Sequence, residues 1–468
     1  MAWASPPNIA SAPGAVRIPP LGPWSRRVML GVLGFFLMVA SGRVGNRDVA
    51  ITLDLSRSLL EGNVSVPASW TGVPRRQEGA TSHYGIGHSL SLIPYILAGR
   101  VAAAVFPMAS RSEWEEFFVS FSNVPVVMLI LYYLSRRWRL LGCGDGKVGA
   151  GLLIVAMVTQ VGPYAKLPFS DGLLALGILA AWCHWMETGW RSSLYAGFWL
   201  GFACVSRRQA DIVIPFLLPL VVGQAAVQRR WTDLRILVLS CLPAVAVRLA
   251  YNHARFGTVF SDRQPGIGVD RVLDKASQLP VFFNLGKVLM STDHGFLVYG
   301  LIPVVVSMLG VFTLGCRSRW DAFAAVWIPL TGILILSELS FGPGVSFGSR
   351  YLLFAMPFLL LAWPGVRIPQ GWVPRLACGL VLAGSAGLMA TGFALDPLPI
   401  ATRMKKSTPP VGYVTACRLE WKRVLGLSPG TESPGLNSDS GWNHHAFARP
   451  DFWWCHAIAR LKSPQSGM

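Results

Sequence analysis

Charged residues are scarce in this chain, and that scarcity excludes an ordinary soluble domain. Only 14% of the 468 residues are Asp, Glu, Lys or Arg, whereas soluble domains average about 25%. Hydrophobic residues make up 52%, and the mean hydropathy is +0.47. Apolar runs of about 17–25 residues, the length that crosses a bilayer, recur along most of the chain. The sequence therefore predicts an all-α polytopic membrane protein with about 11–13 transmembrane helices.

Paired cysteine motifs are also absent, which excludes a zinc ribbon and a dithiol redox site. The eight cysteines contain no C-x-x-C pair and no Cys/His spacing suited to zinc. Six of them lie in or beside apolar runs, where we expect small core residues. Cys417 and Cys455 lie in the polar tail, and an extracytoplasmic tail would allow them to form a disulfide.

The net charge of +18 comes without a basic stripe interleaved with aromatic residues, and this excludes nucleic-acid binding. The cations instead form short clusters between apolar runs, at 135–139, 228–231 and 316–320. Such clusters collect on the cytoplasmic side of membrane proteins. The chain also lacks the internal repeat expected of inverted-repeat transporters.

Polar segments divide the chain into three predicted regions. A Pro-rich, disordered cytoplasmic tail occupies 1–24, and the membrane domain occupies 25–395. Within that domain, 44–84 and 252–294 are the first and second large extracytoplasmic loops, and 396–468 is an extracytoplasmic tail. The predicted spans lie near 25–43, 85–107, 117–134, 149–165, 171–186, 192–206, 211–227, 235–251, 295–315, 321–340, 350–364 and 375–395.

One conflict arises in this topology. Arg26 and Arg27 hold the amino terminus inside, so two full spans between 84 and 135 would place the basic cluster at 135–139 outside. The sequence therefore requires either a re-entrant or half-spanning segment between about 84 and 165, or a different number of spans.

Residues 44–66 carry an unusual density of charge directly after the first apolar run. The polar residues share one side of a helical wheel and the apolar residues another: Arg47, Asp54, Arg57, Ser58 and Glu61, against Ile51, Leu55 and Leu59. This narrow apolar face predicts a helix that lies along the membrane surface. Asp48 begins that helix, either as an N-cap or as a general base at the mouth of a membrane cavity. Asp54 is expected to pair with Arg57 or Arg47.

Several cations lie on the predicted outer face, against the usual bias of membrane proteins. They are Lys166, Arg207, Arg208, Arg255, Arg263 and Arg350. A shared anionic ligand would explain them, and Arg binds a lipid-linked phosphate with bidentate contacts. Local pairing with Asp171, Asp211 or Asp262 is the alternative.

Other polar residues stand where spans begin. His83 and Tyr84 precede Gly85 and Gly87, and such a pair is either an interfacial anchor or a catalytic group. Asp171 enters a span five residues after Lys166, where it pairs with that lysine, caps the helix or positions an acceptor.

Ordered fragments of the chain resemble the GT-C superfamily of membrane glycosyltransferases. These fragments are "NRDVAITLDLSRSLLEGN", "SHYGIGHSLSLIPYILAGR", "GPYAKLPFSDGLLAL", "YNHARFG", "HGFLVYGLIPVVVSMLG", "FGSRYLLFAMPFLLL" and "PDFWW". The resemblance is strongest to the bacterial branch near the protein O-mannosyltransferase and aminoarabinose transferase families. The resemblance covers residues from about 25 to 395 and is weaker in the tail.

The resemblance implies an activity and a set of site residues. It implies transfer of a sugar, with inversion, from a polyprenyl-phosphate donor to a lipid, glycan or protein acceptor. It implies an active site on the extracytoplasmic face of a bacterial inner (plasma) membrane. It implies Asp48 as general base, and Arg350 with basic groups near Lys166 and Arg207 at the donor phosphate. By its position Arg208 joins these cations, and the candidate acceptor or cavity residues are His83, Tyr84, Asp171 and His294. The family often has a second acid beside the base, and its absence here leaves a divalent metal an open question.

The sequence leaves two other functional hypotheses open. A transporter or flippase of a lipid-linked substrate would also need outer-face cations, although the predicted spans hold few acids and no repeat. A non-catalytic GT-C-like subunit would keep the fold without the chemistry.

Overall fold

The structure is a computed structural model of the 468-residue chain. The described residues are 20–44, 47–67, 75–76, 79–82, 84–259, 281–290, 295–338, 350–367, 371–395, 418, 421–422 and 452–454. His83, His294, Cys417 and Cys455 lie outside the described residues, so what the sequence predicts for them stays a prediction.

Helices dominate the described residues, which confirms the predicted all-α polytopic class. They are α1 (Pro23–Val39), α2 (Arg47–Leu60), α3 (Ile86–Val105), α4 (Arg111–Val119), α5 (Asn123–Leu140), α6 (Asp145–Val158), α7 (Ser170–Trp185), α8 (Trp190–Ser206), α9 (Ala210–Gln228), α10 (Trp231–Phe256), α11 (Val281–Met290), α12 (Phe296–Tyr299), α13 (Leu301–Arg317), α14 (Arg319–Glu338), α15 (Met356–Leu360) and α16 (Trp372–Ala394). Turns of 3₁₀ helix cover Pro163–Ala165, Arg350–Ala355 and Trp363–Gly365.

Five helical stretches of the described chain are long and apolar enough to cross a membrane. They are Ile86–Val105, Arg111–Leu140, Ala210–Gln228, Trp231–Phe256 and Arg375–Ala394. Other apolar helices, such as α1, α7 and α8, have only 16 or 17 residues. The predicted number of spans therefore stays a prediction.

Helix α7 lies at the centre of the fold, since every one of its 16 residues is buried. It packs on α8 at close range because small residues face each other. A Cβ on Gly177 would come 2.9 Å from the Ala203 Cβ. Such close backbone approach is how membrane helices gain packing energy. The first turn of α7 consequently holds its residues, Asp171 among them, at the end of the buried core.

The ends of α1 show how the first helices are oriented. The backbone N–H groups of Trp24 and Ser25 donate to the Asp145 carboxylate at 2.9 and 3.1 Å, so α1 and α6 begin side by side. At the other end of α1, the Gly42 N–H donates to Ser120 Oγ at 3.1 Å, just before α5 starts. Helix α5 therefore runs antiparallel to α1. The chain from residue 40 to residue 122 begins and ends at the same end of the bundle.

Helix α3 stays beside α2 at that end. Ser56 Oγ donates to the Ser89 carbonyl at 2.9 Å near the start of α3. Near its other end, Arg100 shares the Glu115 carboxylate of α4 with Arg57 of α2, at 3.1 and 2.7 Å. These contacts pack α3 along α2, and whether the segment predicted at 85–107 crosses the membrane stays a prediction, since α3 is also long and apolar enough to do so. If α3 does not cross, the topology conflict disappears, because the cluster at 135–139 then shares an end with the start of α1.

The segment 44–84 contains α2 and, unexpectedly, a small antiparallel sheet. Strands β1 (Ser65–Val66), β2 (Arg75–Arg76) and β3 (Gly79–Thr81) pair in the order β1–β3–β2. Helix α2 matches the predicted amphipathic helix, since Ile51 and Leu55 are buried against Val66 and Tyr251. The sheet leads the chain from α2 back to Tyr84 at the start of α3.

Candidate active site

Four segments that are distant in sequence meet where α7 begins. Asp171 lies in the first turn of α7, and Asp48 lies in the first turn of α2. Arg207 directly follows α8, and Arg350 opens the 3₁₀ segment before α15. Carboxylates in the first turn are favoured by the helix dipole, which suits both aspartates.

These four side chains form a row in which negative and positive charges alternate. Arg350 lies 2.7 Å from Asp48 Oδ2 through Nη2 and 2.8 Å from Asp171 Oδ2 through Nε. The Arg207 Nη1 group also contacts Asp171 Oδ2, at 2.9 Å, and donates to Ser170 Oγ at 2.6 Å. Helix α2 begins at Arg47, so Asp48 is the second residue of the helix and not the predicted N-cap, and it forms a direct ion pair with Arg350.

The four charged side chains differ sharply in burial. Arg350, Asp171 and Arg207 are 5%, 3% and 6% exposed, whereas the Asp48 side chain is 32% exposed. Aromatic rings enclose the guanidinium groups, and the Arg350 Cζ lies 4.3 Å from the centroid of Phe169. Charges buried this deeply persist only when they are paired. Asp48 is thus the member of the cluster that an incoming group reaches first.

The Asp48 carboxylate also accepts a hydrogen bond from Tyr84. Burial by itself would raise the pKa of Asp48, but the charge of Arg350, the Tyr84 hydrogen bond and the charge of Arg207 outweigh it. The pKa of Asp48 therefore lies below its ordinary value, and the group is ionised at neutral pH. Burial and the Asp48 charge raise the pKa of Tyr84, so the phenol keeps its proton and donates it to the carboxylate.

The loop that carries Tyr84 is held in place by close packing. A Cβ on Gly85 would lie 2.5 Å from the Val205 carbonyl oxygen, and one on Gly87 would lie 2.8 Å from the Ser206 nitrogen. Only glycine allows the start of α3 to approach the end of α8 this closely. The contact brings Tyr84 toward Asp48 and sets α3 against the segment that carries Arg207.

His88 is a buried group that sequence reasoning missed. It is 3% exposed, and it interacts electrostatically with Arg207, Arg350 and Asp48. Its ring hydrogen-bonds to the backbone of Pro168, which has only a carbonyl to offer. Its Nε2 atom has no hydrogen-bond partner in the structure, so the bond uses Nδ1–H. The signal in the sequence was its position one residue after Gly87.

The structure places the remaining predicted cations in different surroundings. The Lys166 ammonium donates to the Phe393 carbonyl at 3.0 Å and lies 5.7 Å from the Phe452 ring, so it secures the last turn of α16. Arg208 is half-buried beside Arg207. Asp211, considered as a local partner of these arginines, contacts Arg248. The donor-phosphate roles of Lys166 and Arg208 stay predictions.

Metal ligands are not gathered at this cluster. The described residues contain no group of three or more His, Cys, Asp and Glu side chains that could hold a metal ion. The cation between Asp48 and Asp171 is the Arg350 guanidinium. Arginine thus supplies positive charge at the point where the two carboxylates approach.

A small apolar cleft of about 20 Å³ lies next to the cluster, between α9, α14 and the 3₁₀ segment. It is lined by Gln209, Ile212, Val213, Phe216, Thr331, Gly332, Tyr351 and Phe354. The Tyr351 ring connects the cleft to the charges, since its centroid lies 5.7 Å from the Cζ atoms of both Arg207 and Arg350. A polar head at the arginines would therefore have apolar side chains beside it.

Comparisons with known proteins give structural likenesses alone. No protein-family model and no curated protein matches the chain. One similar solved structure is the archaeal oligosaccharyltransferase AglB from Archaeoglobus fulgidus, in complex with an inhibitory peptide and a dolichol-phosphate. The TM-score is 0.45 at 13% identity, over 90% of this chain and 61% of that one. Another is the Archaeoglobus fulgidus oligosaccharyltransferase tethered to an acceptor peptide containing the NVT sequon, with a TM-score of 0.44 at 13% identity, over 82% and 57% of the two chains. This chain therefore spans about three-fifths of the length of the structures that it matches.

Proposed function

We propose that this chain is a membrane glycosyltransferase that moves a sugar from a polyprenyl-phosphate donor to an acceptor hydroxyl. The proposal rests on one observation. Ion pairs link four side chains beside an apolar cleft, namely Asp48, Arg350, Asp171 and Arg207. This combination offers a base, an anion-binding pair and an apolar surface beside them. The resemblance seen in the sequence gives the reaction class.

Arg207 and Arg350 are the proposed ligands of the donor phosphate. The Arg207 Nε atom is buried and has no hydrogen-bond partner in the structure. An unsatisfied buried donor is costly, and a phosphate oxygen would satisfy it. Arginine is also suited to phosphate because its planar fork donates two parallel hydrogen bonds. The polyprenyl chain would then follow the apolar surface that begins at Tyr351.

The proposed reaction is a direct displacement at the anomeric carbon. Asp48 takes the proton of the acceptor hydroxyl as the acceptor oxygen bonds to that carbon. The bond between the carbon and the phosphate oxygen breaks, and polyprenyl phosphate leaves with the electron pair. Arg207 and Arg350 stabilise the charge that grows on the leaving phosphate. Attack from the face opposite the phosphate inverts the anomeric centre.

Donor binding would also strengthen the base. In the resting site, Arg350 contacts Asp48 and helps to hold its pKa low. A phosphate that draws the Arg350 guanidinium toward itself weakens that contact, and the pKa of Asp48 then rises. Asp48 becomes a better proton acceptor only when the donor is in place, which limits reaction without a donor.

A transfer assay in reconstituted vesicles tests the proposal. Wild-type protein is given a panel of polyprenyl-phosphate sugars with lipid, glycan and peptide acceptors. Release of free polyprenyl phosphate together with a glycosylated acceptor supports the proposal. Movement of labelled donor between leaflets without release would instead identify a flippase and overturn it.

A further inference from the structure

Arg255 is a buried cation that the proposed chemistry does not use. It lies in the last turn of α10 and is 5% exposed. Its Nη1 group donates to the Ser82 carbonyl at 2.8 Å and to the Tyr84 carbonyl at 3.3 Å. Both carbonyls belong to the short loop between β3 and α3. One guanidinium group thus fixes the backbone on either side of residue 83.

The Arg255 side chain is itself held rigidly. Its Nη2 group donates to Asn252 Oδ1 at 2.6 Å. Its Cζ lies 4.2 Å from the Tyr251 ring centroid and 4.5 Å from the Phe256 ring centroid, so the guanidinium makes cation–π contacts with two aromatic rings. Contacts of this kind suit the flat, delocalised charge of arginine and not the compact charge of lysine.

The same loop is fixed from a second direction. The Tyr84 N–H donates to Ser82 Oγ at 3.1 Å, and Gly85 packs on the Val205 carbonyl at the end of α8. Tyr84 therefore lies between α10 and α8, and its hydroxyl donates a hydrogen bond to the Asp48 carboxylate. Movement of this loop would carry the phenol away from the carboxylate.

We infer that Arg255 is a positioning residue: by holding the Ser82 and Tyr84 carbonyls, it keeps the Tyr84 hydroxyl on Asp48. This changes the role expected from the sequence, which grouped Arg255 with the cations that bind a donor phosphate. The kinetic consequence rests on the proposed function, whereas the structural consequence does not.

The structural consequence is tested by hydrogen exchange on the full-length protein in vesicles. Arg255→Gln removes the bonds to both carbonyls and keeps a polar side chain. Arg248→Gln is the matched control, because Arg248 lies on the same helix and bonds to Asp211 and the Cys204 carbonyl but not to the Ser82 or Tyr84 carbonyl. We expect faster amide exchange in peptides that cover 82–88 for Arg255→Gln alone. Exchange equal to that of wild type in these peptides would overturn the inference.

The kinetic consequence is tested by the pH profile of transfer. The groups that face Asp48 are Arg350, Arg207, Tyr84 and His88, and only the Tyr84 contact is lost in Arg255→Gln. A lost hydrogen bond to a carboxylate raises its pKa, so the acid limb of the profile moves up by about one pH unit. Tyr84→Phe should give the same shift, and Arg255→Lys a smaller one.

A double variant separates positioning from a general loss of stability. If Arg255 acts through Tyr84, adding Arg255→Gln to Tyr84→Phe moves the acid limb no further. Additive shifts, or an unshifted limb in Arg255→Gln, would contradict the inference. If wild type transfers no sugar, the proposed function fails and the exchange experiment alone decides the role of Arg255.

Discussion

Arg350 and Asp48 form an ion pair of 2.7 Å between the start of the 3₁₀ segment before α15 and the first turn of α2. The same guanidinium contacts Asp171 at 2.8 Å. Arg350 therefore joins α2 to the central helix α7.

Arg350→Gln should abolish transfer and destabilise the fold. The substitution leaves Asp171 with one cation fewer in a buried site, and breaking a buried pair costs about 3–5 kcal/mol. Thermal unfolding in detergent and the transfer assay measure the two effects. Arg137→Gln is the matched control, since Arg137 is also buried and pairs with one buried aspartate, Asp321, away from the cluster. Equal losses of transfer in the two variants would show that Arg350 has no special place in the site.

Stability should depend on the Asp48 charge in acid. The pKa of Asp48 in the folded protein lies below its ordinary value, which is about 3.9 in an unfolded chain. The stabilisation is therefore fully present above about pH 4 and is lost as the pH falls through the folded-state pKa. Unfolding of wild type and Asp48→Asn, followed from pH 7 to pH 3, should show a difference that shrinks only below about pH 4. A constant difference over the whole range would contradict this.

The orientation of α3 can be tested by labelling single cysteines. If α3 packs beside α2, Ser110 at the α3–α4 turn is on the same side of the membrane as Glu61 after α2. Ser110→Cys and Glu61→Cys should then react with an impermeant maleimide from one side, and Gly144→Cys from the other. Labelling of Ser110→Cys from the Gly144 side would show that α3 crosses the membrane.

The aromatic motif near the carboxyl terminus should be required for stability of the first helix. Trp453 donates its backbone N–H to the Ala40 carbonyl at 2.8 Å and its indole N–H to the Leu37 carbonyl at 3.0 Å. These bonds satisfy carbonyls at the end of α1 that have no helical partner. Trp453→Ala removes the indole bond and its packing but keeps the backbone bond, and it should lower the unfolding temperature by several degrees. Trp190→Ala, at a largely exposed tryptophan, should have little effect, and equal effects would argue against this capping role.

The sequence predicted the local features well and the tertiary pairings less well. The helix at 47–60 was predictable because its amphipathic pattern is local, and Asp48 stood out at its start. The pairing of Asp171 with Arg207 and Arg350 was not predictable, because Lys166 is nearer to Asp171 in sequence. Only the tertiary packing shows that Lys166 bonds to the Phe393 carbonyl instead. The length and apolarity of α3 favoured a span, and only its contacts with α2 place it beside that helix.

The most direct test of the account compares two aspartates on α2. Asp48→Asn and Asp54→Asn each remove one charge from the same helix, but Asp54 pairs with Arg57 away from the cluster. We expect Asp54→Asn to release polyprenyl phosphate at nearly the wild-type rate. Asp48→Asn should lose at least about 100-fold, the least that a general base contributes. Equal rates in the two variants would contradict the assignment of Asp48 as the base.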